Sequence, residues 1–145
     1  MYQVTLFAFL IGCLGCTSAG NSASMERTVP VSGKIALDGK PLKNATIMFW
    51  PLKEKGNEST SQPYAEADAQ GNYQLILGVG DDKRDGSPLG WYRVVVEAFE
   101  APKAGLDIPP RLLSPEKYAD PLSSPLVVEV VENPAPRAYE LNLTK

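Results

Sequence analysis

The chain has 145 residues, with 14 Lys and Arg against 17 Asp and Glu, 13 prolines, 12 glycines and no histidine. The formal net charge of −3 and the lack of a basic stripe exclude a phosphate-backbone partner, because nucleic-acid binders concentrate Lys and Arg on one face. Without histidine the usual general base, zinc ligand and pH switch are all missing, so neither an enzyme nor a cofactor is expected.

Residues 4–12 read VTLFAFLIG, an apolar run too short for the roughly 20 residues a helix needs to cross a bilayer. The run fits the apolar centre of a cleaved export signal. It ends in Leu10-Ile11-Gly12-Cys13, which resembles the lipobox of bacterial lipoproteins, with an aliphatic residue, a small residue and then the cysteine at the required spacing. The resemblance implies that residues 1–12 are a signal peptide, that the Cys13 thiol takes a diacylglycerol, and that the new amino terminus is often acylated as well. Two or three acyl chains, at about 0.8 kcal/mol per buried methylene, anchor stably where one chain is marginal. Cys16 is a second possibility, but Cys13 stands where its lipobox needs an aliphatic residue. A redox Cys13-x-x-Cys16 pair would need a βαβ context that the sequence lacks. Met1-Tyr2-Gln3 carries no Lys or Arg, which fits a start codon further upstream. Leu14 stands where an aspartate often signals retention in the inner membrane, so the outer membrane is the expected location. Residues 13–27 then form the lipidated cysteine and a small, polar tether, and residues 28–145 the folded domain.

Within that domain Val29, Val31, Gly33, Ile35 and Leu37 alternate with polar or small neighbours, which predicts a half-buried strand ending at the turn Asp38-Gly39. A second strand is expected over 45–50, and the polar stretch 53–62 reads as a solvated loop. Strands over 64–67 and 72–77 flank the turn Asp68-Ala69-Gln70-Gly71, with Tyr73, Leu75 and Leu77 on one face. After the loop GVGDDKRDGSPLG, strands are expected over 91–98, 126–132 and 138–143. Seven strands with closely spaced turns predict an all-β fold, an antiparallel β-sandwich. The proline-rich stretch 101–125 reads as a strap laid over one sheet and pinned by Leu112, Leu113 and Tyr118.

Four segments in this order, VSGKIALDGKPLKNATIMFWP (31–51), ADAQGNYQL (67–75), LGWYRVVVEA (89–98) and IPPRLLSPEKYADPLSSPLVVEVVE (108–132), resemble the carboxypeptidase-regulatory-like or transthyretin-like domains of small bacterial lipoproteins. The resemblance covers nearly the whole mature chain. It implies a seven-stranded Greek-key sandwich, no catalysis in this module, and a role accessory to an envelope or extracellular protein.

Three groups of residues invite a chemical reading. Asp81, Asp82 and Asp85 with Gly86 form the densest acidic cluster and a candidate calcium loop, although DDKRDG lacks the ligand spacing of an EF-hand. Trp50, Tyr64 and Trp91 are candidates for stacking on sugar rings, with core or edge packing as the structural alternative. Lys34 or Lys40 with Asn44, Asn72 or Asn142 offers the components of an isopeptide crosslink if a buried acid lies beside the pair. Tyr92, just after Gly90-Trp91, resembles the tyrosine corner of sandwich folds, a structural role. The functional expectation is a lipid-anchored interaction or structural module of the cell envelope. Its partner is the membrane together with an envelope protein or glycan, and the alternative is a carbohydrate-binding module.

Overall fold

Side chains that alternate along a strand sort themselves onto two faces, and the face carrying the apolar set must be covered. The computed structural model describes residues 26–101, 105 and 109–145. Ten strands lie among these residues: β1 (Ser32–Leu37), β2 (Lys40–Pro41), β3 (Ala45–Pro51), β4 (Tyr64–Glu66), β5 (Asn72–Gln74), β6 (Ile76–Leu77), β7 (Arg84–Asp85), β8 (Gly90–Ala98), β9 (Val127–Val130) and β10 (Leu141–Leu143). Three single turns of 3-10 helix are the helical elements among the described residues, and no helix there is long and apolar enough to cross a membrane.

The strands form two sheets. In the four-stranded sheet β1 is central, antiparallel to β2 and β5 and parallel to β10. The six-stranded sheet runs β7-β6-β4-β3-β8-β9, with every pair antiparallel. Its spine is the β3–β8 ladder, paired from Ala45↔Ala98 to Pro51↔Tyr92. Ala45, Ile47 and Phe49 of β3 and Tyr92, Val94, Val96 and Ala98 of β8 point inward. They meet Val31, Ile35, Tyr73, Leu141 and Leu143 from the other sheet in one core. The Phe49 and Tyr92 rings pack there at 5.7 Å between centroids, tilted by 44°.

The seven expected strands become ten, and the sheets are not wholly antiparallel. The stretch expected as one strand over 72–77 is divided at Leu75, where the chain passes from one sheet to the other. Gln74 belongs to the β1 pairing and Ile76 to the β4 pairing. Leu75 itself is fully buried; its N–H donates to Val31 O at 2.9 Å, and its carbonyl accepts from Gly86 N at 2.7 Å. The β2 and β7 additions are two-residue pairings too short to show periodicity. The parallel contact arises because β10 returns beside the half of β1 around Ile35 to Leu37.

Where the pairing with β9 ends, the strap closes the remaining length of β8 with buried hydroxyls. Ser114 Oγ accepts from Ala98 N at 3.1 Å and donates to Val96 O at 3.2 Å, and Ser124 Oγ donates to Val94 O at 2.6 Å. Of the three expected pins, Tyr118 is buried and its hydroxyl accepts from Thr144 N at 3.0 Å. Leu112 is half-buried and bridges to Phe99, whereas Leu113 is exposed.

The approach of residue 139 to β1 makes a prediction. A Cβ added at Gly33 would run into the Tyr139 carbonyl and come within 2.8 Å of Tyr73 Oη, the pair that is hydrogen-bonded beneath it. Gly33→Ala is expected to destabilise the domain by about 1–3 kcal/mol, as overpacking does. Urea unfolding checks this, and a midpoint equal to that of the parent would mean that residue 139 does not press on β1.

Candidate functional site

The outward-facing side chains of the six-stranded sheet follow from the same registers that build the core. Met48 pairs with Tyr64, Trp50 with Arg93, and Trp91 lies two residues from Arg93 along β8. Tyr64, Trp50 and Trp91 therefore share the outer face and form a diagonal row over the adjacent strands β4, β3 and β8. Diagonal neighbours of this kind stand roughly 7–8 Å apart at their backbones, within reach of aromatic rings. All three are half-buried. Val95, on the same face between Arg93 and Glu97 and opposite Met48, is 1 % exposed, so an apolar side chain is covered where the outer face of an antiparallel sheet is ordinarily polar.

Polar groups frame the row. Lys55 Nζ sits 3.9 Å from the centroid of the Trp91 ring. Trp91 O accepts from both Leu52 N at 2.9 Å and Asn57 Nδ2 at 2.8 Å, which folds the loop after β3 back onto the row's end. Arg93 donates to Leu122 O at 2.8 Å and reaches Glu54 Oε1 at 3.5 Å. Trp50 Nε1 is buried and has no hydrogen-bond partner among the described residues, so that ring edge turns into the protein. Trp50 thus combines packing with a part-exposed face, and the arrangement offers planar apolar surface flanked by cations and carboxylates.

The other expected groups behave differently. Cys13 and Cys16 lie outside the described residues. Asp81 and Asp82 sit in the single 3-10 turn Gly80–Asp82, while Asp85 belongs to β7 opposite Ile76. No group of three or more potential metal ligands is gathered among the described residues. Tyr92 is fully buried and donates to Pro88 O at 3.0 Å, a backbone carbonyl four residues upstream, as a tyrosine corner requires.

Lys34 stands directly opposite Asn72 on β1 and β5, and the Asn72 amide donates to Asp68 at 3.0 Å. The Lys–Asn–Asp grouping of an isopeptide site is thus assembled, but all three residues are exposed. The Asn72 side chain, then its backbone N–H, holds the Asp68 carboxyl below the usual carboxylate range, so the acid has no proton to lend the carboxamide.

Sequence reasoning missed a groove of about 930 Å³ between the outer face of the four-stranded sheet and the segment 134–140. Lys34, Glu66, Asp68 and Asn72 line one wall, with Arg137 and Glu140 on the other. Arg137 adopts φ 66° and grips Glu140 through two bonds of 2.7 and 2.6 Å, which keeps the Glu140 carboxyl low. Below the floor, burial pushes the Tyr73 hydroxyl well above its ordinary range while it donates to Tyr139 O at 2.6 Å. Arg137 and Glu140 form the one ion pair among the groove's described charges, and walls built from segments distant in sequence leave no local signal to read.

No protein-family model matches the chain, and no curated protein or solved structure matches it either.

The lowered carboxyls have a defined pH consequence. A carboxylate whose folded pKa is depressed adds stability above its unfolded pKa, near 3.9 for Asp, and that contribution is lost as pH falls through the lower folded value. An NMR titration is expected to place the Asp68 midpoint below the free-aspartate value, and Asn72→Ala to move it upward. An unmoved midpoint in Asn72→Ala would show that the Asn72 side chain is not what holds the charge.

Proposed function

We propose that this protein is a lipid-tethered, non-catalytic docking module of the bacterial cell envelope, built as a Greek-key sandwich of the carboxypeptidase-regulatory-like kind. The observation that carries the reading is the lipobox Leu10-Ile11-Gly12-Cys13, followed by a small polar tether and a domain without histidine. The tether meets the domain at Glu26, whose carboxylate accepts from Ser59 and Ser61 Oγ at 2.9 and 2.6 Å and whose carbonyl accepts from Arg84. A flexible tether of this length spans roughly 20 Å, so the domain works close to its membrane. Non-catalytic character is supported by the buried hydroxyls other than that of Ser59, which binds Glu26. Those of Ser87, Ser114, Ser124, Tyr73 and Tyr92 all serve backbone groups, whereas a nucleophile needs a base and an orienting partner.

A second reading, a carbohydrate-binding module, is favoured by one observation: Tyr64, Trp50 and Trp91 form a diagonal row on one face. Flat aromatic surface with flanking polar groups suits stacking on sugar rings, and under this reading the partner is a cell-surface glycan.

Two measurements test these readings. Labelled palmitate is expected to enter the full chain in cells and to be lost in Cys13→Ala; undiminished label in that variant would move the anchor elsewhere. Crosslinking in intact cells is expected to recover an envelope protein with the docking module. Recovery of glycan alone, reduced at least tenfold by Trp50→Ala or Trp91→Ala, would instead select the carbohydrate reading.

A further inference from the structure

Strand β9 ends the six-stranded sheet, and one hydrogen bond fixes which way its backbone groups face. Val94 N donates to Leu126 O at 2.8 Å. With the register running from Arg93↔Val127 to Gly90↔Val130, antiparallel alternation turns the N–H and C=O of Leu126, Val128 and Val130 toward β8. Those of Val127 and Glu129 point away. The Trp91 carbonyl agrees, since it accepts from Leu52 N on the β3 side rather than facing Glu129. The four outward groups of Val127 and Glu129 have no partner among the described residues.

This open stretch is closed at both ends. Pro125, the next outward position in one direction, has no N–H to offer. Val131, the next in the other direction, already donates its N–H to Tyr139 Oη at 3.2 Å. The opposite edge of the same sheet is protected in the ordinary way, because β7 is two residues long and both are charged. In the other sheet β2 carries a lysine and a proline. By contrast β9 is three valines and a glutamate, with Val127 and Val131 exposed beside it.

We propose that β9 pairs antiparallel with β9 of a second copy about a two-fold axis at Val128, joining two six-stranded sheets edge to edge. Only registers that keep inward faces together are allowed, and three of these are centred within the open stretch 127–129. Centred on Val128, Val127 of each copy meets Glu129 of the other, and all eight outward groups are satisfied by four backbone bonds. Centred on Glu129, the two carboxylates face each other and Val127 is set against Val131, whose N–H is already taken. Centred on Val127, Glu129 meets Pro125, which has no donor. The Val128 register is the one in which nothing outward is left unpaired, and it is isologous as a closed dimer must be. It also sets the half-buried Leu126 and Val128 of each copy against Val130 and Val128 of the other, extending both cores.

The test uses the full chain with Cys13→Ser and Cys16→Ser, purified in mild detergent, so that an introduced thiol is the sole one present. At the two-fold, residue 128 of each copy forms a non-hydrogen-bonded pair with Cα atoms about 4.5 Å apart, within disulfide reach. Val128→Cys is therefore expected to give a covalent dimer under mild oxidation. Glu129→Cys is expected to give none, because Glu129 faces Val127 of the other copy. Sedimentation of the chain without an introduced cysteine should show a concentration-dependent dimer. Glu129→Pro removes an outward N–H while leaving the ladder to β8 intact, and should weaken that dimer on the order of tenfold or more. The proposal is overturned by a chain that stays monomeric at every concentration, or by a covalent dimer that forms in Glu129→Cys and not in Val128→Cys. Coupling of the Val128→Cys variant in cells to an extended segment of a different protein overturns it as well. Should Glu129→Pro fail to fold, the two cysteine variants decide the matter alone.

Discussion

Pairing Ala45–Pro51 with Tyr92–Ala98 fixes both faces of the six-stranded sheet at once. Side chains alternate with period two, so a slip of one residue along β8 would carry Val94 and Val96 to the outside and bring Arg93, Val95 and Glu97 into the core against Ile47 and Phe49. Burying a large aliphatic or aromatic side chain contributes about 1.5–3 kcal/mol each, so several such residues acting together hold the register firmly. The aromatic row, the position of Arg93 and the exposure of the β9 edge are consequences of that one pairing.

Polar satisfaction at the seams then decides how the two sheets join. Where ladders run out, the buried carbonyls of β8 would be left without donors, and each such group costs about 1–3 kcal/mol. Ser114 and Ser124 supply those donors on the strap side. Near the groove Tyr73 does the same for Tyr139 O, and Tyr92 for Pro88 O at the start of β8. The hydroxyls therefore act as stitches between elements far apart in sequence, and the strap is held by them more than by its leucines. Leu113 is exposed, while Ser114 beside it is 3 % exposed.

Much of this was legible in the chain. Alternation around Ile35, Ile47, Tyr73 and Val94 identified strands and their inward residues, because burial imposes a period of two whatever the partner strand is. The same fact explains the main miss. Tyr73, Leu75 and Leu77 all face inward, so the pattern runs unbroken through Leu75 even though the hydrogen-bond partners change sheets there. Periodicity reports the face and not the neighbour, which also hid the parallel β1–β10 contact. The candidate residues divide in the same way. Trp50, Tyr64 and Trp91 come together because each occupies an outward position on adjacent strands, whereas Asp81, Asp82 and Asp85 are close in sequence yet split between a turn and a strand. The groove beside Arg137 depends on a loop returning over β1, for which no short motif exists.

Function enters through surfaces that this framework leaves outside the core. Glu26 meets the domain beside Arg84, an aromatic row crosses three strands, and an open valine edge borders the same sheet, and these are the surfaces the proposed docking role would use. All of it requires the β3–β8 register, so that register is what a single measurement should test. In an antiparallel ladder the non-hydrogen-bonded pairs bring Cα atoms to about 4.5 Å, close enough for strong contacts between α-protons in NMR spectra. Phe49 N donates to Pro63 O on the side away from β8, which makes Phe49–Val94 and Ile47–Val96 pairs of this kind. The account predicts strong α-proton contacts at those two pairs. Contacts displaced by one residue along β8, linking Phe49 to Val95 and Ile47 to Glu97, would contradict it.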